Sequence, residues 1–401
     1  MEAVFVVDAV RTPIGRYRGA LASVRTDDLA ARVIEALLER HPVIRERLGH
    51  VVFGATNQAG EDNRNVARMA ALIAGVSHDV PAVTVNRLCG SGLEAVNEGA
   101  RLIALGEADL VIAGGVESMT RAPYSMPKAE EPFSRMPPTI YDTTLGWRYP
   151  NPRLEQRYGL TSMGETAENV AKKYGIGREE QDAFALASQQ KAHAAWEQGA
   201  FSGEICPVAV PQRKGPPINV ERDECVRKDS TLESLARLPA AFREGGSVTA
   251  GNSSPINDGA AAVLLASERC LSELGLTPAL RFVTCATVGL DPNYMGEGPI
   301  PASKKALARA GLRIPNVDVI ELNEAFAAQS LACLRGLDLD PERVNVLGGS
   351  IALGHPIGAS GARIVATLMS AMKQRPRAKV GLCTLCIGVG QGIATLFESA
   401  R

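Results

Sequence analysis

The chain opens on an apolar, β-branched run, Val4-Phe-Val-Val7, which reads as a strand that begins almost at once. Short runs of the same kind recur at Val51–Phe53, Val263–Ala266 and Val317–Glu321, with helical spacing between them. Strands alternating with helices predict the α/β class, built on a layered sheet. Between Thr166 and Trp196 the apolar period becomes helical. Ala167, Val170, Ala171 and Tyr174 share one face, and Ala183, Phe184, Leu186 and Ala187 mark a second helix beyond Gly175 and Gly177. From Val380 to Phe397 no charged residue occurs, nearly the length of a membrane span. Gly381, Gly388, Gly390 and Gly392, with Gln391, predict a strand and a glycine-rich turn there rather than a lipid-facing helix.

Two glycine-rich segments stand out from this pattern. The first is Val83-Thr-Val-Asn-Arg-Leu-Cys89-Gly-Ser-Gly-Leu-Glu94, and the second runs from Asn345 to Arg363 through Gly354-His-Pro-Ile-Gly358. Each carries Ser-Gly before a helical stretch and then an apolar strand. Gly92 to Gly114 spans 22 positions, as does Gly361 to Cys383. Equal spacing of a turn–helix–strand unit predicts two related halves. Between them, from about Arg121 to Ser247, the texture changes to a proline-rich stretch with many of the methionines and aromatics. It reads as an inserted loop region, where substrate contacts collect.

Composition narrows the function. At 401 residues the chain exceeds the roughly 250–300 at which a single core stops growing, so more than one domain is expected. Lys plus Arg number 43 against 44 Asp plus Glu, a net charge of −1, and no basic stripe marks a nucleic-acid binder. The short clusters Arg40, Arg45, Arg47 and Lys373, Arg375, Arg377, Lys379 read as solvated surfaces. Met1–Asp8 has no basic-then-apolar signal pattern and Glu398–Arg401 is no peroxisomal address, so a cytoplasmic protein without a membrane partner is expected. Eight scattered cysteines argue for buried thiols rather than a disulfide framework.

Four residues could carry chemistry. Cys89 ends an apolar run just before Gly90-Ser-Gly92, which would place its thiol on a tight turn at a helix N-terminus. Unpaired amides there lower a thiol pKa and favour the nucleophilic thiolate; a buried structural cysteine is the alternative. His355, one of five histidines, sits in a fixed Gly-His-Pro loop. Cys386 follows an apolar strand beside a glycine-rich turn and could serve as an acid or base. Cys383 and Cys386 form a C-x-x-C, but residues three apart on a strand face opposite ways, and no further ligands complete a metal site. Asn323, after a strand and before a helix, suits a helix N-cap or an oxyanion donor.

Taken together these segments resemble the thiolase family along essentially the whole chain. The matching blocks are Asp8–Gly15, Asn86-Arg-Leu-Cys-Gly-Ser-Gly92, Gly114-Gly-Val-Glu-Ser-Met119, Gly251–Gly259, Asn323-Glu-Ala-Phe326, Gly354–Gly358 and Cys386-Ile-Gly-Val-Gly-Gln-Gly392. The resemblance implies a thiolase fold, two similar halves in a five-layered α/β/α/β/α arrangement. It places residues 1–121 plus 248–275 in one half, 122–247 in an inserted loop domain over coenzyme A, and 276–401 in the other half. It also implies a homodimer or homotetramer, with coenzyme A as substrate and product, no permanently bound cofactor and no metal. Carried over by position, Cys89 would hold the acyl group and His355 would activate it. Cys386 would move the α-proton, and His355 with a water held by Asn323 would stabilise the enolate oxygen. The amides of Cys89 and Gly388 would form a second oxyanion hole.

Coenzyme A contacts carried over the same way are Met163, Arg227, Ser234, Phe242, Ala250, Ser254, Met295, Ala325 and Phe326. Ser162 departs from the His of short-chain biosynthetic relatives, and Pro255 stands where many members have Gly. The segments Asn57–Arg64 and Tyr141–Pro152 look like those of 3-oxoadipyl-CoA thiolases of aromatic degradation, with Arg64 and Arg148 able to meet a substrate carboxylate. The implied reaction is reversible thiolysis of a 3-oxoacyl-CoA to acetyl-CoA and a shortened acyl-CoA. The rivals are an acetoacetyl-CoA-forming acetyltransferase, a ketoacyl synthase, and a non-catalytic acyl-CoA or lipid binder on the same fold.

Overall fold

The computed structural model describes residues 2–133 and 135–400; Met1 and Arg401, which bound the terminal segments read above for targeting signals, lie outside them. The described strands form one long sheet made of two runs. In the first, Ala82–Val85 and Leu110–Ser118 flank His50–Gly54 in parallel. Leu110–Ser118 then pairs antiparallel with Asn257–Ser267, and that strand with Val4–Arg11. In the second, Val319–Leu322 and Val380–Ile387 are parallel, followed antiparallel by Gln391–Ser399 and Leu280–Gly289. The order of pairings is the same, and an isolated parallel bridge from Ile320 to Val344 stands where the first run has Ala82–Val85. The repeat read from glycine spacing is therefore a repeat of topology. Among the described residues the strands of the two runs pair where Phe5 and Val6 meet Arg281 and Leu280.

Helices complete the layers. Ser91–Ala104 and Ser360–Gln374 pack on each other between the runs, within the largest apolar cluster. Thr26–Arg40 and Val66–Ile73 cover the outer face of the first run, while Pro299–Ala310 and Ala327–Leu337 cover that of the second. The two inner helices approach so closely that glycine is required on both. A Cβ on Gly361 would overlap the amide of Leu93, and one on Gly92 would lie 2.7 Å from the Ala362 nitrogen. The sequence context of Gly92 predicts a turn-former for the thiol; its role, like that of Gly361, is helix-to-helix packing.

Strands and helices run longer than the apolar runs alone suggested. The two helices expected between Thr166 and Trp196 are Met163–Tyr174 and Arg178–Glu197. The first starts earlier because Ser162 and Glu165 form a capping box ahead of the apolar period. The charge-free stretch after Val380 is two strands joined at Gly388-Val-Gly390, where Val389 and Gly390 have φ of 62° and 75°. No helix among the described residues is long and apolar enough to cross a membrane. The segment between the halves adds two small hairpins and helices that pack on Ala327–Leu337 and the turn Pro292–Glu297. Arg11, fully buried on the first strand, fastens this segment to the sheet. Its guanidinium meets Asp223 at 2.7 and 2.9 Å and Glu204 at 2.5 Å.

Candidate active site

Cys89 stands one residue before the cap of the inner helix Ser91–Ala104. The turn that presents it is held by Ser91, whose hydroxyl donates to Leu88 O at 2.6 Å and accepts from Arg87 N at 2.8 Å. The left-handed residue is Leu88, with φ of 47°, and not a glycine. A non-glycine residue there costs about 1–3 kcal/mol and persists only where its surroundings over-determine it. At Gly90 the turn lies close against the strand that carries Cys386, and a Cβ there would lie 2.6 Å from Ile387 Cδ1. The half-buried Cys89 thiol is raised above its ordinary value by burial; the amides of Gly388 and of Cys89 itself act the other way. The helix N-terminus was expected to lower it. Desolvation outweighs the amide dipoles, so the thiol is protonated at rest and needs a base.

His355 is buried and fixed at three points. Its amide donates to Asn257 Oδ1 at 2.8 Å, its Nδ1 lies 2.6 Å from Ser360 Oγ, and its Nε2 lies 3.5 Å from Asn323 Nδ2. Ser360 spends its hydroxyl proton on Pro356 O at 2.8 Å, so it accepts from Nδ1–H and leaves Nε2 as the free lone pair. Burial, aided by the Arg363 charge, pushes the imidazole down to about 3, keeping it neutral as a base must be. The following loop is held by the buried carboxylate of Glu117, which accepts from Gly358 N at 2.9 Å, Thr56 N at 3.0 Å and Asn57 N at 3.2 Å. Asn257 also donates to Gly15 O at 2.9 Å. Four of the sequence blocks quoted above thus meet around one loop.

Cys386 lies buried at the end of Val380–Ile387, in an apolar cluster with Met163, Met295, Ala325 and Phe326. Burial pushes its thiol well up, and the neighbouring Cys89 and Cys333 thiols push further. Cys383 packs instead in the central core, so the C-x-x-C points to opposite faces. Asn323 is fully buried after Val319–Leu322, and its Oδ1 accepts from Ser350 Oγ at 2.6 Å. The next helix begins only at Ala327, so the cap reading fails: three residues separate Asn323 from the helix, and its side chain turns to His355.

The residues expected to hold coenzyme A divide in two. Met163, Met295, Ala325 and Phe326 form a wall beside Cys386, with Met163 Sδ 3.2 Å from where a Cβ of Gly388 would lie. Phe242, partly exposed, packs edge-on to Phe326 at 6.0 Å between ring centres, and Ser254 Oγ donates to Ala325 O at 3.1 Å. Arg227, Ser234 and Ala250 lie exposed at the surface, apart from this wall. The Ser234 hydroxyl is engaged by its own short helix, donating to Thr231 O at 2.8 Å. Arg148 is half-buried and donates to Thr143 O at 3.0 Å, while Arg64 is exposed with φ of 66°. Sequence reasoning missed Glu117, Asn257, Ser350, Ser360 and Arg363 as supports. Each lies inside a quoted block, and a polar residue inside an otherwise apolar or glycine-rich block was the available signal.

Comparison with known proteins agrees with this geometry. Residues 4–269 match the model of the thiolase N-terminal domain, and residues 276–399 that of the thiolase C-terminal domain. The chain belongs to the thiolase family. It is similar to the beta-ketoadipyl-CoA thiolase of Acinetobacter baylyi, 55% identical over 401 residues, covering 99% of this chain and 100% of the relative. The 3-oxoadipyl-CoA/3-oxo-5,6-dehydrosuberyl-CoA thiolase of Escherichia coli is 53% identical over 401 residues, with the same coverage. Among solved structures, the acetyl-CoA acetyltransferase of Bacillus anthracis superposes with a TM-score of 0.93 at 41% identity, over 100% of this chain and 99% of that one. The architecture is the thiolase fold, and the ketoacyl-synthase and binding-protein rivals fall away with the family. In this thiolase, Cys89, His355, Asn323 and Cys386 lie where the elements of both halves converge.

Proposed function

We propose that this protein is the acyltransferase that cleaves 3-oxoadipyl-CoA with coenzyme A, giving acetyl-CoA and succinyl-CoA. The observation that carries the reading is likeness along the full length to thiolases named for that substrate. His355 Nε2 takes the Cys89 proton and the thiolate attacks the 3-keto carbon. The amides of Cys89 and Gly388 receive the tetrahedral oxyanion. The bond between C2 and C3 breaks, leaving the acyl group on Cys89 and an enolate whose oxygen faces His355 and a water held by Asn323. Cys386 gives its proton to the enolate carbon, and acetyl-CoA leaves. The Cys386 thiolate then takes the proton of an incoming coenzyme A thiol. That thiol displaces Cys89, which recovers its own proton from His355.

In this reading the wall of Met163, Met295, Ala325, Phe326 and Phe242 receives the pantetheine, and Ser254, Ala250, Ser234 and Arg227 stand toward the nucleotide. The segment 122–247 covers the coenzyme between the halves 1–121 plus 248–275 and 276–401. The enzyme works as a homodimer or homotetramer in the cytoplasm, with no permanently bound cofactor. Thiolysis of acetoacetyl-CoA, longer 3-oxoacyl-CoAs and 3-oxoadipyl-CoA, compared by kcat/KM, tests the substrate. A preference for 3-oxoadipyl-CoA of at least about tenfold is expected. A preference for acetoacetyl-CoA instead would make it an acetyl-CoA acetyltransferase, the name its Bacillus anthracis neighbour carries.

A further inference from the structure

Behind Asn323 runs a line of buried groups that the reaction scheme does not use. Arg363, on the inner helix Ser360–Gln374, is 1% exposed and sits 3.6 Å from Glu321, which is 0% exposed. Its Nη2 donates to Ser350 Oγ at 2.7 Å, and Ser350 Oγ lies 2.6 Å from Asn323 Oδ1. Asn323 Nδ2 in turn lies 3.5 Å from His355 Nε2. We infer that Arg363 and Ser350 are positioning residues that set the orientation of the Asn323 amide, so that its NH2 group is turned toward the enolate oxygen and holds the water that meets it.

The direction follows from proton counting. A guanidinium has five donors and no acceptor, so Ser350 must accept from it. The single hydroxyl proton of Ser350 is then free only for Asn323, whose facing atom must be the carbonyl oxygen. The amide has one oxygen and one nitrogen, so the NH2 group is left to face His355 and the reacting centre. Without Ser350 only the long 3.5 Å contact from Asn323 Nδ2 to His355 Nε2 holds the amide this way round, and a flipped amide would turn a carbonyl toward the developing enolate charge. The same helix supplies Ser360, three residues before Arg363, which sets the His355 tautomer. One turn of one helix thereby orients both groups that serve the enolate.

The test separates the enolate step from acyl transfer. For Ser350→Ala we expect thiolysis kcat and the exchange of acetyl-CoA methyl protons with deuterium oxide to fall together by about 10²-fold. KM should stay within about threefold, and acetylation of Cys89 by acetyl-CoA, which forms no enolate, should keep its extent and its rate to within about threefold. Ser350→Thr keeps the hydroxyl and should recover most of the loss. Because Arg363→Met would strand Glu321 and could unfold the chain, Arg363→Lys is the companion variant; it keeps the charge, loses the fixed donor geometry, and should show the same split in weaker form. Full thiolysis and exchange in Ser350→Ala overturns the inference. So does a loss shared equally by acetylation, which a merely structural role would give.

Discussion

Cys89 and Cys386 are both held as thiols by burial, and Cys89 raises the cost of ionising Cys386. In the proposed reaction the neutral His355 serves the first as proton acceptor while the second works as an acid. Cys89→Ala should therefore abolish thiolysis and acyl-enzyme labelling alike. Cys386→Ala should still accept an acetyl group from acetyl-CoA on Cys89 while losing carbon–carbon bond chemistry by at least about 10²-fold. Labelling of intact protein by mass spectrometry separates the two outcomes. His355 also makes a pH prediction. Its folded value of about 3 lies below the ordinary value of 6.5, so the unfolded chain binds the proton more readily between those limits. Stability from this residue is fully present above pH about 6.5 and is lost as pH falls toward 3. His355→Gln should flatten the acid limb of a denaturant-unfolding curve measured against pH; an unchanged slope in that window would contradict the assignment.

At the scale of elements, the segment from Tyr141 to Pro152 is placed by polar contacts that lead to the catalytic loop. Arg148 donates to Thr143 O, Thr143 Oγ1 receives Asn57 Nδ2 at 3.0 Å, and Asn57 N reaches Glu117 at 3.2 Å. On its other side Trp147 lines a small cavity with Met163 and Val389 beside Gly388. No carboxylate pairs with the Arg148 guanidinium among the described residues. Under the proposed function a substrate carboxylate would pair with that free charge, at a net gain of about 1.5–3 kcal/mol for a charged hydrogen bond. Arg148→Gln should raise KM for 3-oxoadipyl-CoA by at least about tenfold and leave acetoacetyl-CoA unchanged, measured by steady-state thiolysis. An equal effect on both substrates would assign Arg148 to the loop's structure alone.

The whole molecule depends on buried charge as well as on apolar burial. Arg11 joins the first strand to Asp223 and Glu204, and Ser370 of the second half donates to Glu204 at 2.7 Å. Three parts of the chain distant in sequence close on one guanidinium. Arg11→Met would leave two buried carboxylates without their cation, at a cost of about 3–5 kcal/mol. A matching fall in the midpoint of urea unfolding is the expected result; a loss below about 1 kcal/mol would show that the carboxylates find water instead.

Much of this was legible in one dimension. Apolar runs at Val4, Val51 and Val263 and the equal glycine spacing announced the strands and the repeat, because period and spacing are local properties of the chain. Cys89, His355 and Cys386 stood out through their glycine neighbours, and the ordered blocks identified the family. What the sequence by itself determined was therefore the elements, the two halves and the chemical type of the site. Other features were decided only by tertiary structure. Gly92 and Gly361 proved to be glycine for the sake of a helix crossing, since a Cβ clash exists only once the helices meet. The Cys89 thiol rose instead of falling, because desolvation depends on everything packed around it rather than on the helix that carries it. Asn323 turned from a cap into a partner of His355, and Ser350 and Arg363 gained a role, through hydrogen bonds that join residues up to 32 positions apart. Spacing along a chain carries no record of which way an amide or a hydroxyl proton must point; only the closed network of donors and acceptors does.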